Sequence, residues 1–123
     1  MRERARNDMT TPAIDMPTFT ELQATAGADF VADLVGTFLE EAPPMLAELR
    51  RALAAQSADA FRRAAHSLKS NSMTFGALTL GGMARSLELG GIAPVQQANG
   101  EPLDRLAAEY ARVAQALSEL RNA

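Results

Sequence analysis

Residues 28–55 read ADFVADLVGTFLEEAPPMLAELRRALAA, and the spacing of their apolar side chains decides the fold. Phe30, Val31, Leu34, Val35, Phe38, Leu39, Ala42, Met45, Leu46, Leu49 and Leu53 follow steps of three and four. That is the signature of one apolar stripe along an α-helix, because a helix turns about once every 3.6 residues. Pro43 and Pro44 interrupt the stripe, and an internal proline removes a backbone hydrogen bond and crowds the preceding turn. The stripe keeps its phase across both prolines. The pattern therefore predicts one kinked helix over Ala28 to Ala55 rather than two helices.

The same periodicity continues outward. Before this helix, FTELQATA gives a short helix from Thr18, capped by Thr18 or Thr20 and stopped at Gly27. After it, Ser57 is a good N-cap and Asp59 suits a first turn, so a third helix is expected from about Ala58 to Thr74 with Gly76 as its stop. A fourth is expected from about Leu78 to Leu89, with Leu80, Met83, Ala84 and Leu87 inward. The stretch IAPVQQANGEP reads as a loop with at most one helical turn. A last helix runs from about Pro102 to Leu120 on the stripe Leu103, Leu106, Ala107, Tyr110, Val113, Ala114, Leu117 and Leu120. No segment reads as a strand. Short connections make neighbouring helices antiparallel, so the predicted fold is all-α: an up-down four-helix bundle with a short additional N-terminal helix. Residues 1–17 show no apolar period and are expected to form a flexible tail, with the folded domain over 18–123.

Composition narrows the function. The 123 residues contain no cysteine, which excludes disulfides, thiolate metal sites and a cysteine nucleophile. Lys plus Arg number 12 against 15 Asp plus Glu, a net charge of −3, where a nucleic-acid binder usually carries a basic excess. No apolar run approaches the ~20 residues that span a bilayer, and the start MRERARNDMTTP lacks the apolar middle of a signal peptide. The expected setting is the cytoplasm, with no membrane and no nucleic acid as partner.

The chain contains a single histidine, His66. On a wheel of the third helix with Phe61 at zero, Ala65, Leu68, Ser72 and Phe75 fall within ~40° and form the core stripe, whereas His66 falls at ~140°, facing away. Arg62, Arg63, Lys69, Ser70 and Met73 lie within ~60° of it. Such cationic surroundings suit a nucleophilic ring nitrogen and an incoming phosphoryl group. His66 lies ten residues before Gly76 and Glu88 twelve after it, at similar heights in a helical hairpin. Glu88 is therefore placed to bond one ring nitrogen and aim the other outward. Pairing of Glu88 with Arg85, three residues earlier, fits the spacing equally well.

AHSLKSNSMTFGA (65–77), followed by LELGG (87–91), resembles the histidine phosphotransfer (HPt) domain of bacterial multistep phosphorelays. The residues that carry the resemblance are Ala65, His66, Leu68, Lys69, Ser70, Gly76, Ala77, Leu87 and Glu88. DFVADLVGTFLEEAPPMLAELRRAL is similar to that family's first long helix, prolines included, and the likeness spans roughly residues 18 to 120. It implies that His66 accepts a phosphoryl group through Nε2 from the phospho-aspartate of a receiver domain and passes it to another receiver. It also implies that Lys69 steadies the phosphoryl oxygens and Glu88 orients the ring. Arg62, Arg63, Ser70 and Met73 would meet the partner, and Gly76 would serve the turn. No cofactor or metal is implied on this chain, and magnesium is expected on the receiver. The implied protein is a phosphoryl carrier rather than an enzyme, a monomer that pairs with response-regulator receivers or a hybrid histidine kinase. The initial Met and a whole bundle favour a stand-alone shuttle. One departure is Ser70, where the family commonly has glycine.

Three other readings compete. The dimerisation helix of a sensor kinase usually has an acidic residue directly after its histidine, where Ser67 stands here. A metal-binding bundle needs several histidines and carboxylates in fixed spacing. A phosphate-independent HPt-like scaffold that binds receiver or kinase domains is the alternative that shares the fold.

Overall fold

A computed structural model describes residues 11–122. Among them the chain forms six helices: α1 (Met16–Ala26), α2 (Ala28–Ala55), α3 (Ala58–Thr74), α4 (Leu78–Gly90), α5 (Ile92–Gln97) and α6 (Glu101–Asn122). The four long ones pack in a closed ring, α2 on α3, α3 on α4, α4 on α6 and α6 on α2. This is the expected all-α bundle. The α1 helix lies against α2 and α3, and α5 is the helical turn in the last connection.

The α2 helix is continuous through Pro43 and Pro44, and both prolines face solvent. Pro43 has no N–H to offer the carbonyl of Leu39 one turn earlier. Tyr110 on α6 turns its hydroxyl to that carbonyl at 3.5 Å, a long contact. Val31, Val35, Phe38, Ala42, Leu49 and Ala52 are buried. Phe30 departs from the expected stripe and is 56% exposed, since it lies ~100° round from Val31 in the first turn of the helix. Burial of the remaining faces joins Phe61, Ala65 and Leu68 of α3, Leu80, Ala84 and Leu87 of α4, and Leu103, Leu106, Val113 and Leu117 of α6 in one core. Phe38 packs against Phe75 at 5.5 Å and edge-on to Tyr110 at 6.0 Å between ring centres, tying α2 to the end of α3 and to α6.

The N-terminal boundary differs from expectation. Of the tail expected over 1–17, residues 1–10 lie outside the described part, Ala13 and Ile14 pack onto the core, and Met16 and Pro17 already belong to α1. Ile14 is 3% exposed. The first helix begins two residues before Thr18, capped by Asp15, whose carboxylate accepts from the Thr18 N–H (3.2 Å) and hydroxyl (2.6 Å). Pro17 fits the first turn because the N–H groups there have no partner within the helix. The α6 helix also buries a carboxylate that no apolar stripe predicts: Glu109 is 8% exposed and accepts from Arg112 at 2.8 Å. A second nitrogen of Arg112 donates to the Thr11 carbonyl.

Candidate functional site

The site is built on α3 and α4, the most extensively packed pair of helices. Ser57 caps α3 by accepting from the Ala60 N–H, and Asp59 in the first turn complements the helix dipole. Phe61, Ala65, Leu68 and Ser72 point into the core, which turns His66 outward. Its side chain is 54% exposed.

The hairpin turn sets the height of α4 against α3. Gly76 has φ of +84°, a conformation that favours glycine. A Cβ there would lie 2.8 Å from the Asp15 carbonyl oxygen and 2.9 Å from Thr18 Cβ. The Gly76 carbonyl also accepts from the Asp15 N–H at 2.7 Å, so the turn lies under the start of α1. With the turn fixed, Glu88 comes level with His66. Its Oε2 is 2.7 Å from the ring Nδ1, and its side chain is 15% exposed. Its other oxygen, Oε1, lies 3.2 Å from Lys69 Nζ, an ion pair without good hydrogen-bond direction. Glu88 therefore pairs with His66 and Lys69 rather than with Arg85. The hydrogen bond to His66 holds the Glu88 carboxyl below its ordinary value of 4.5, partial burial opposes this, and Lys69 adds to the lowering.

The other expected site residues are arranged differently. Arg62 and Arg63 are exposed, and both bind Asp59, Arg62 at 2.7 Å. These contacts hold the Asp59 carboxyl below its ordinary value, the Arg62 hydrogen bond foremost, followed by the charge of Arg63. The cationic patch expected around His66 is thus largely answered by carboxylates, Asp59 for the arginines and Glu88 for Lys69. The Asp59 pairs stand at i+3 and i+4, a spacing visible in the sequence. Ser70 is exposed one turn from His66, and its carbonyl accepts from the Thr74 hydroxyl at 3.0 Å. Met73 is 37% exposed, with its thioether lying over Gly81 of α4. Sequence reasoning missed Gly81, Asp59 and Asp15 as supports. Asp59 carried a signal in its charge spacing, and Asp15 in being a favoured N-cap residue just ahead of Pro17.

Chemically, the carboxylate engages Nδ1, leaving Nε2 as the outward nitrogen. The ring is held on a rigid helix with a lysine beside it. Such an arrangement can present an imidazole as a nucleophile to a phosphoryl donor brought by another molecule. Among the described residues no helix is long and apolar enough to cross a membrane.

Known proteins share this fold. The family model for the Hpt domain matches residues 33–123. None of the curated proteins matches the chain. The crystal structure of histidine-containing phosphotransfer protein B (HptB) from Pseudomonas aeruginosa PAO1 superposes with a TM-score of 0.82 at 29% sequence identity, covering 92% of this chain and 97% of that one. With the family match running from early α2 to the end of the chain and the bundle superposing on a phosphotransfer protein, this protein belongs to the Hpt-domain family and has a histidine phosphotransfer role in phosphorelays.

Proposed function

We propose that His66 is the phosphoryl acceptor, with Lys69 and Glu88 as its working partners. Nε2 attacks the phosphorus of a receiver's phospho-aspartate in line with the acyl-phosphate bond. The Nε2–P bond forms, the P–O bond to the aspartate breaks, and the carboxylate leaves with the electron pair. The Nδ1 proton stays on the ring, donated to Glu88 Oε2. Transfer onward reverses these steps on the aspartate of a second receiver. Lys69 needs only to shift from Glu88 toward the phosphoryl oxygens. Phosphoryl transfer depends on positioning and charge stabilisation more than on covalent chemistry by the protein, so few groups suffice.

The observation that carries this reading is the 2.7 Å contact between His66 Nδ1 and Glu88 Oε2, on a ring that is 54% exposed. It supports Nε2 as the nitrogen that faces a partner. Hpt proteins are phosphotransfer carriers, and on this reading the chain has no ATP site of its own. Magnesium and most of the transition-state stabilisation come from the receiver domain, in a response regulator or a hybrid histidine kinase. The carrier works as a monomer in the cytoplasm. Arg62, Arg63, Ser70 and Met73 border the docking face.

The test incubates the purified chain with a panel of receiver domains phosphorylated by acetyl phosphate and scores acid-labile phosphate. Rapid labelling is expected, lost in His66→Gln with the helical signal unchanged. Labelling that persists in His66→Gln would refute the assignment. A folded wild-type chain that no receiver labels would favour the phosphate-independent scaffold.

A further inference from the structure

The α4 helix carries two adjacent glycines in its interior, Gly81 and Gly82. Neither has a positive φ, so the backbone does not require glycine at either position. Glycine inside a helix is intrinsically unfavourable. Their surroundings separate them. A Cβ at Gly82 would meet nothing within 4 Å, whereas one at Gly81 would lie 2.9 Å from both Cε and Sδ of Met73 and 3.0 Å from its Cγ. Gly81 is a notch in the seam between α3 and α4, and the Met73 thioether lies in it.

Met73 is seven residues after His66, and Gly81 is seven residues before Glu88. Both contacts therefore lie on the same face of the hairpin, about 10.5 Å apart along the helices. A partner that reaches the outward nitrogen of His66 covers this ground. A typical interface takes about 800 Å² from each side, a disc of about 16 Å radius. Met73 is 37% exposed, unbranched and flexible. In the notch it lies low. Out of the notch it stands on the face that a receiver must approach.

We infer that Gly81 is a specificity-determining residue for the phosphotransfer: it stores the Met73 side chain in the α3–α4 seam and so keeps the surface beside His66 low enough for a receiver domain. The inference rests on the reading of His66 as acceptor. An alanine at 81 displaces the atoms closest to it. Those atoms are the far end of a flexible side chain, so Met73 moves outward and the helices keep their spacing.

Two phosphodonors separate docking from chemistry. Phosphoramidate is small and needs no docking face. A phosphorylated receiver domain, chosen from a panel screened on the wild-type chain, needs the whole of it. Gly81→Ala is expected to leave His66 labelling by phosphoramidate unchanged and to raise the apparent KM for the receiver roughly ten-fold, equivalent to about 1.4 kcal/mol of docking free energy. In a Met73→Ala background, Gly81→Ala is expected to have no further effect. Gly82→Ala, which stiffens the same helix without touching Met73, is expected to keep the wild-type KM. The methyl carbon signal of Met73 should become more accessible to a soluble paramagnetic agent in Gly81→Ala. An unchanged KM in Gly81→Ala overturns the inference, as does a loss that persists without Met73. An equal fall with both donors also overturns it, since it would place the effect on the ring. A wild-type chain labelled by phosphoramidate but by no receiver removes the docking face and the inference with it. A wild-type chain that phosphoramidate does not label refutes His66 as acceptor.

Discussion

Replacing Gly76 by alanine tests how the hairpin holds His66 level with Glu88. Two costs can be worked from the structure. First, φ at this residue is +84°, and a side chain in left-handed geometry costs about 1–2 kcal/mol. Second, the new Cβ would lie 2.8 Å from the Asp15 carbonyl oxygen and 2.9 Å from Thr18 Cβ. Both belong to a capped helix start and give way less readily than the tip of a long side chain, so overpacking adds about 1–3 kcal/mol. The expected loss is about 2–5 kcal/mol. An unfolding entropy of about 2.1 cal/mol/K per residue makes each kcal/mol worth about 4 °C in a chain of this size, so the fall in Tm is about 8–20 °C. Urea unfolding followed by circular dichroism measures the free-energy loss, and a thermal melt measures the fall in Tm. Gly82→Ala is the control: its Cβ meets nothing within 4 Å, and it should be neutral or stabilising by up to about 1 kcal/mol. Gly76→Asn separates the two costs, because asparagine tolerates positive φ but still carries the Cβ. It should lose about 1–3 kcal/mol. Gly76→Ala within about 0.5 kcal/mol of wild type, the scale of an ordinary surface substitution, would refute the reasoning. Gly76→Asn as stable as wild type would show that the start of α1 does not press on the turn.

Other outcomes follow from the same contacts. Lys69→Ala should fold normally and slow phosphoryl transfer roughly ten-fold, less than the roughly 10²–10³-fold loss of a principal oxyanion donor, because the receiver supplies most of the charge stabilisation; single-turnover transfer measures it, and an unchanged rate removes Lys69 from the site. Glu88 has a folded pKa below its unfolded value, so its contribution to stability is present above about pH 4.5 and is lost as pH falls through the lowered folded value. The acid limb of a stability–pH curve should therefore be shallower in Glu88→Gln than in wild type, and identical curves would contradict the pairing. Burial raises the Tyr110 pKa above 10.0, so stability should fall as pH climbs from 10 through that raised value, and ultraviolet titration of the phenol should show a late midpoint. Gln56 ends α2 in left-handed geometry at φ 58°, and Gln56→Gly should stabilise the fold by about 0.5–1 kcal/mol in urea melts.

Much of this protein is legible along one dimension. The stripe from Val31 through Leu49 places α2, because burial of one helical face must recur every three or four residues. The stripe of Phe61, Ala65 and Leu68 places His66 outside in the same way, since a residue about 140° from a buried face cannot also be buried. Ser57 and Gly76 mark the ends of α3 through local backbone chemistry. The glycine in the middle of a hairpin even places Glu88 at the height of His66.

What the sequence leaves open are the choices between partners. Glu88 stands three residues from Arg85 and twenty-two from His66. Helical spacing fits both pairings equally well, and only the packing of α4 on α3 awards the carboxylate to His66 and Lys69. The burial of Ile14, the bond from Asp15 to the hairpin turn and the fit of Met73 into Gly81 are likewise contacts between segments far apart or on different helices. Periodicity records which face of a helix is buried. It does not record the rotation and height of one helix against its neighbour, which the interdigitation of side chains across the whole core determines, and those two quantities decide what His66 touches.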